Sequence, residues 1–457
     1  MKRRTFLSHS SLAFLASLLG LPPLAKAAQN SPKHWANWSG SISCQPENIV
    51  VPGSEHELIN ILTKATREKK QIRPVGFGHS FSRLVPTNDT LVSLSRLTGL
   101  VSTDDKTLQS VFLAGTRMSE MGQALQEKSQ ALPNMADIDR QSLGGAIATS
   151  THGTGISLGS LSSYVTGLTL VTPDGIRMEC DNRQSSDIFQ AAKVSLGSLG
   201  FITRLQLQNR DAFRLKKTTW GENTHAVLEK AEELMASHRH FEMFPMVNSD
   251  MAIVQTIDET QEELTDIPGP DPEGDEMLRN LQEFGGYLPW LRRWLTNSAI
   301  EEMKPFSFVG ESWQVLPSIR NLKFNEMEYQ IPLEAGPDCL REILSTIEKE
   351  GVDIAFPLEY RYVKGDDIWL SMFNGRDSCS ISVHHFADYD YKPYFSLIEP
   401  VFWKYGGRPH WGKVHTLTAK ELKPLYPRWD DFLNIRQRLD PDNRMANEHL
   451  KKLFGLS

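Results

Sequence analysis

The sequence predicts an α+β protein of two domains, and three observations carry that reading. The chain has 457 residues, and setting aside an N-terminal leader of 27 leaves 430, more than one hydrophobic core usually organises. Between Trp38 and Leu207, short β-rich runs alternate with helical stretches. In the second half, residues 356–362 alternate in character as a strand does.

The N-terminus reads as a transport signal. Arg3-Arg4-Thr5-Phe6-Leu7 resembles the twin-arginine motif, residues 11–24 form a short apolar run, and Ala25-Lys26-Ala27 is an A-x-A cleavage site. The apolar run is too short for a membrane anchor and is interrupted by Gly20, Pro22 and Pro23. Residues 1–27 are therefore expected to direct export to the periplasm. Removing them takes away Lys2, Arg3, Arg4 and Lys26 and no acid, so a net charge of −7 becomes −11. That balance argues against nucleic acid as a partner. Cys44, Cys180, Cys339 and Cys379 show no metal-binding spacing and are expected to be small buried hydrophobes, with one disulfide as the alternative.

Residues 58–70 read as a helix, and Gln71-Ile72 starts a strand that enters Arg73-Pro74-Val75-Gly76-Phe77-Gly78-His79-Ser80. Two glycines there allow positive φ and bring N–H groups close to an anionic ligand. The spacing is not the G-x-G-x-x-G fingerprint of a nicotinamide site, and no downstream ribose-binding acid fits it. Taken alone, the turn suits an ordinary loop with a solvated histidine as well. Runs 91–94, 110–113 and 168–171 read as strands, the last entering the turn Thr172-Pro173-Asp174-Gly175, and 119–128 and 187–196 read as helices. A second cluster, Ser142-Leu143-Gly144-Gly145-Ala146, leads into Thr149-Ser150-Thr151-His152-Gly153-Thr154-Gly155. Two such loops suggest a long phosphate-bearing cofactor cradled by backbone amides. Gly197-Ser198-Leu199-Gly200 then closes a helix and starts a strand over 201–207.

Residues 257–276, rich in Asp, Glu, Pro and Gly, read as a mobile acidic loop. An aromatic helix follows over 277–295. Its Tyr287, Trp290 and Trp294 are expected to pack in a core, a membrane or partner contact being the alternative. In Phe356-Pro357-Leu358-Glu359-Tyr360-Arg361-Tyr362, Glu359 and Arg361 share a strand face, which is ordinarily a surface ion pair of little weight. Ile381-Ser382-Val383-His384-His385-Phe386 carries two histidines, and Gly406-Gly407-Arg408-Pro409-His410-Trp411-Gly412-Lys413 ends on a lysine beside a tryptophan.

Together these segments resemble the FAD-linked oxidoreductases of the vanillyl-alcohol-oxidase superfamily. Within it they resemble the sugar-1,4-lactone oxidases acting on L-gulono- and D-arabinonolactone, with alditol oxidase further away. The resemblance runs from Asn37-Trp38 to the C-terminus. It implies a PCMH-type FAD-binding domain of two subdomains over 38–207, and a substrate domain over 208–457 with an antiparallel sheet covered by helices. FAD would lie against Pro74, Val75, Gly76, Phe77, Gly78, His79 and Ser80, and against Ser142, Gly145, Thr149, Ser150, Thr151 and His152, with Ile202 and Lys413 completing the set. His79 would bond covalently to the flavin 8α-methyl.

In the second half the resemblance assigns Glu359 and Arg361 to the substrate oxygens, a task suited to a carboxylate acceptor and a rigid fork of donors. It places Lys413 near flavin N1, where a cation stabilises the charge gained with a hydride. His385 aligns best with an active-site histidine of the alditol oxidases that gulonolactone-like relatives lack. Asp137 stands where alditol oxidases have a serine. With Gly365-Asp366-Asp367-Ile368 and Arg376-Asp377-Ser378-Cys379, that departure favours a lactone. The implied reaction is hydride transfer from C2 of a sugar 1,4-lactone to flavin N5, giving a 2-keto lactone that enolises to an ascorbate-type product. Glu359 or His385 would take the hydroxyl proton. The implied partners are a sugar lactone or polyol and an electron acceptor such as oxygen, a cytochrome or a quinone; no metal is implied. A polyol oxidase is the near alternative and a non-catalytic flavin-binding protein the far one.

Overall fold

In the computed structural model, which describes residues 33–318 and 321–456, helix periodicity is realised first in Glu55–Arg67. Its Leu58, Leu62 and Ala65 are buried along one stripe, and Ser54 Oγ caps the N-terminus by accepting from Glu57 N at 3.1 Å. The stripe packs with Ile72 and Val92 of a parallel three-stranded sheet ordered Asn48–Val50, Thr90–Ser93, Ile72–Val75. Ile72–Val75 is an edge strand, which is why it tolerates Pro74. The leader expected over 1–27 lies outside the described residues.

A five-stranded antiparallel sheet follows, ordered Arg177–Asp181, Val165–Val171, Phe201–Gln208, Gln109–Leu113, Leu100–Asp104. The second half is organised by eight antiparallel strands ordered Phe306–Glu311, Arg214–Asn223, Met251–Thr260, His240–Pro245, Glu359–Val363, Ser378–Phe386, Phe324–Pro332, Arg408–Pro409. Helices Gly336–Lys349 and Lys392–Lys404 pack on its Phe324–Pro332 strand, burying Leu340, Ile343 and Ile398. The fold is thus α+β, with an antiparallel sheet covered by helices. Cys180, Cys339 and Cys379 are buried, and all four cysteines are free.

Residues from His34 onward form one compact unit, and the tail crosses the boundary expected at 207/208. After the helix Trp429–Leu439, the Asp440 carboxylate accepts from Arg444 N at 2.9 Å and Met445 N at 2.8 Å. The turn so fixed lies against the first half: Ile72 N donates to Arg444 O at 2.9 Å, and Asn447 Nδ2 donates to Pro86 O at 2.8 Å. Arg73 is fully buried and donates to Leu84 O, Gly197 O, Leu196 O and Met445 O.

Two expectations are corrected. The acidic stretch is not one loop, because Met251–Thr260 extends into it as a strand and the helix Pro272–Gly285 begins inside it. The aromatic side chains are not core either. In the helix Pro289–Glu301 the buried stripe is Arg292, Thr296 and Ile300, so the 3.6-residue period turns Trp290 and Trp294 outward at 69% and 59% exposure. Tyr287 is 84% exposed.

Candidate active site

Both glycine clusters line one cleft with about 1830 Å³ of empty space, its open mouth included. The first cluster leaves the strand Ile72–Val75, with Gly78 at φ +74°. The amides of Phe77, Gly78, His79 and Ser80 donate to no protein acceptor among the described residues. At Gly76 a Cβ would lie 2.3 Å from Ser142 Oγ, so the two clusters meet there. Ser142 caps the short helix Leu143–Ala148 by accepting from Gly145 N at 3.3 Å. Pro74, Val75, Thr149, Thr151, His152 and Ile202 complete this wall. Ser150 does not reach it: its backbone is left-handed at φ +57° and its hydroxyl lies 3.3 Å from Ser371 Oγ behind the wall. His79 stacks on Trp38 with centroids 5.6 Å apart. Burial, with Lys413, Arg117 and Arg140 adding to it, pushes the His79 imidazole down to about 4, so it is neutral near pH 7.

The opposite wall comes from the eight-stranded sheet, where cross-strand register assembles a charged cluster. Glu359 faces Ser382 and Arg361 faces Ser380; on the next strand Glu326, Glu328 and Gln330 oppose His384, Ser382 and Ser380. Because strand side chains alternate, Glu359, Arg361, His384, Glu326 and Glu328 all emerge into the cleft. Arg361 Nη2 lies 3.1 Å from Glu359 and 3.6 Å from Glu328. Glu328 Oε1 accepts from Ser380 Oγ at 2.8 Å and Gln330 Nε2 at 2.7 Å, and lies 2.6 Å from His152 Nε2. That last contact joins the sheet to the second glycine cluster.

Lys413 enters from the segment following the edge strand Arg408–Pro409. His410 N donates to Glu328 O and Val414 N to Glu326 O, both at 2.9 Å. Trp411 is fully buried, stacks on Tyr426 at 5.1 Å and donates Nε1–H to Leu370 O at 2.6 Å. Phe81 N donates to Gly412 O at 2.6 Å and Ser82 Oγ to Trp411 O at 2.7 Å, so the first glycine cluster is tied to this block. Lys413 Nζ contacts Glu326 and lies 3.8 Å from Glu328.

The carboxylates differ in state. Burial raises Glu359, and the neighbouring Asp137 and Glu242 outweigh enough of Arg361's attraction to leave it at about 7. Its Oε1 is buried without a hydrogen-bond partner. Burial opposes ionisation of Glu326 as well, but Lys413 and His384 bring it down to about 2. Glu328 is held well below the ordinary range by His152 and His410 against its burial. One carboxyl can therefore exchange a proton near neutrality while two remain anions.

His385 does not enter the cleft. It follows His384 on the strand Ser378–Phe386, so alternation turns it to the other face, where it stacks on Tyr389 at 5.2 Å. His384 is the imidazole that faces the cleft, its Nδ1 3.0 Å from Pro357 O and its Nε2 3.6 Å from Glu326. Sequence reasoning passed over Glu326, Glu328 and His410. The available signal was the polar alternation Glu326-x-Glu328-x-Gln330, which ordinarily marks a solvated face. No metal was expected, yet His152, Glu328 and His410, and separately Glu326, Glu359 and His384, bring ligating atoms within 4.8 Å of one another.

Comparison with known proteins follows the same division. Residues 205–453 match the model of the D-arabinono-1,4-lactone oxidase family, and residues 46–181 match an FAD binding domain. An L-gulono-1,4-lactone dehydrogenase of Mycobacterium tuberculosis is 34% identical over 434 residues, covering 92% of this chain and 99% of the relative. An L-gulonolactone oxidase of Mus musculus is 29% identical over 92% of this chain and 97% of its own. An alditol oxidase of a Streptomyces species is 28% identical over 92% and 98%. Among solved structures, cholesterol oxidase from B. sterolicum superposes with a TM-score of 0.77 at 16% identity, covering 92% of this chain and 96% of that one. That last likeness concerns the fold alone.

Proposed function

The chain belongs to the D-arabinono-1,4-lactone oxidase family, and we propose that it is an FAD-dependent oxidoreductase that oxidises a sugar 1,4-lactone at C2. The observation that carries this reading is the opposition, across one cleft, of an amide-lined cradle and a sheet-borne set of Glu359, Arg361, His384 and Lys413. Free amides and positive-φ glycines suit a pyrophosphate, and FAD once bound would supply the hydride acceptor at N5.

The protein's own groups then divide the work. Arg361, held by Glu359 and Glu328, presents guanidinium N–H groups to ring or carbonyl oxygens of the lactone. Glu359 Oε1 accepts from the hydroxyl to be oxidised and takes its proton. Lys413, on the cleft wall, would supply positive charge to stabilise the negative charge that FAD gains on reduction. Stopped-flow reduction of the bound flavin by gulono-, galactono- and arabinono-lactones, followed by mixing with oxygen, tests the reading and the electron acceptor together. Failure of every lactone to bleach the flavin would refute it. A polyol oxidase is the second reading, favoured by His384 standing on the cleft face beside Glu359; faster bleaching by xylitol or sorbitol would select it.

Covalent attachment through His79 is part of the proposal, supported by its neutral imidazole and its place in the cradle. Protein precipitated with acid should stay yellow, and His79→Ala should release its FAD. Periplasmic export is proposed from the leader sequence, and replacing Arg3 and Arg4 by lysine should leave the enzyme in the cytoplasm.

A further inference from the structure

Lys413 is not a lone cation. Glu326 Oε2 contacts its ammonium, while Glu326 Oε1 lies 3.6 Å from His384 Nε2, and the Glu326 side chain is 3% exposed. The pair is locked at its backbone too, since Val414 N donates to Glu326 O at 2.9 Å. Glu328 adds a second carboxylate 3.8 Å from the same ammonium. Around this end of the cleft, Lys413 and Arg361 face Glu326, Glu328 and Glu359, so the cations are already matched before any ligand brings more negative charge.

We propose that Glu326 is a positioning residue that holds the Lys413 ammonium and offsets its charge, thereby setting how readily the bound FAD takes up negative charge. This rests on the reading that Lys413 faces the flavin. In a water-poor site the field of each group is weakly screened, so removing either partner of the pair changes the local potential, in opposite directions. Lys413 favours the reduced state of the cofactor, and Glu326 disfavours it. The close contact therefore trades driving force for a fixed ammonium position.

The test uses FAD-loaded wild type, Glu326→Gln, Lys413→Met and the double variant, without any sugar. Flavin midpoint potentials and dissociation constants for sulfite, which binds flavins poised to accept charge, are the readouts. Glu326→Gln should raise the potential and tighten sulfite binding about tenfold, on the order of 30 mV for a two-electron couple. Lys413→Met should move both quantities the other way. The double variant should lie between them and recover thermal stability relative to Lys413→Met, because the amide removes an uncompensated buried charge. A Glu326→Gln protein with full FAD and an unchanged or lowered potential would overturn the proposal. Should that variant fail to fold, a double variant with a potential no higher than that of Lys413→Met overturns it equally. An unloaded wild type, or one no lactone can reduce, would instead sink the functional reading.

Discussion

The glycine clusters meet the cleft with main chain, whereas the eight-stranded sheet meets it with ionisable side chains. On the first wall the groups left unpaired are the amides from Phe77 to Ser80, and Gly76 has no Cβ where one would meet Ser142 Oγ. On the second wall every important group is a carboxylate, a guanidinium, an ammonium or an imidazole, most of them set in place by strand register and Lys413 by the segment after the edge strand. Main-chain groups cannot titrate and vary little with sequence, which suits holding a large cofactor of constant shape. Side-chain charges can be tuned one by one, which suits chemistry and substrate choice.

Four measurements sharpen or break that division. The largest effect is expected at Lys413. Its replacement by methionine should slow flavin reduction by roughly 10²–10³, the cost of losing one preorganised electrostatic partner, while FAD content stays near normal. Loss of FAD with an unchanged reduction rate would move Lys413 to the holding wall. On that wall, Gly76→Val would drive a side chain into Ser142 Oγ, 2.3 Å from the Cβ position, and force it off its cap. Overpacking of this kind costs about 1–3 kcal/mol, so FAD should bind roughly tenfold to a hundredfold more weakly, with the reduction rate of loaded enzyme little changed.

The third measurement is a pH profile. Glu359 sits at about 7 and must be ionised to accept the hydroxyl proton. Below that pH the carboxylate fraction falls, so kcat/KM should drop about tenfold per pH unit on the acid side and level off on the alkaline side. Glu359→Gln should abolish the slope; a slope that survives it would assign the proton to His384. The smallest effect is expected at His385, which faces away from the cleft: His385→Leu should change the reduction rate less than about twofold, whereas His384→Gln should change it more.

The two walls also differed in how far they could be read from sequence. The cradle is written in contiguous residues, because glycine at Gly76 and Gly78 and the hydroxyl run Thr149-Ser150-Thr151 carry their conformational meaning locally. Ser150 was the exception, since only the left-handed backbone at that position shows it turned away. The charged wall depends on which strand lies beside which. Glu359 and Arg361 were legible as a pair because they share one strand. Their joining to Glu326 and Glu328 passes through Ser378–Phe386 and needs a register that no local pattern states. His385 was chosen by its resemblance to an alditol-oxidase histidine, and strand alternation places its neighbour His384 on the cleft face instead. The exposed Trp290 and Trp294 were misjudged because aromatic content was read as core before the stripe of Arg292, Thr296 and Ile300 was recognised.

The seam made by Arg444, Met445 and Asn447 has a consequence for assembly in time. The strand that launches the first glycine cluster receives part of its hydrogen bonding from residues more than 370 positions later, as in Gln71 Nε2 to Ala446 O. During synthesis the helix Glu55–Arg67 and its small sheet emerge early, yet Arg73 has no partner at Met445 until residue 445 has itself left the ribosome. Contacts of such long sequence separation form late and slowly. The strand behind the cradle is therefore completed only after residues 444–447 have emerged, and a chain cut before Arg444 would lack that hydrogen bonding.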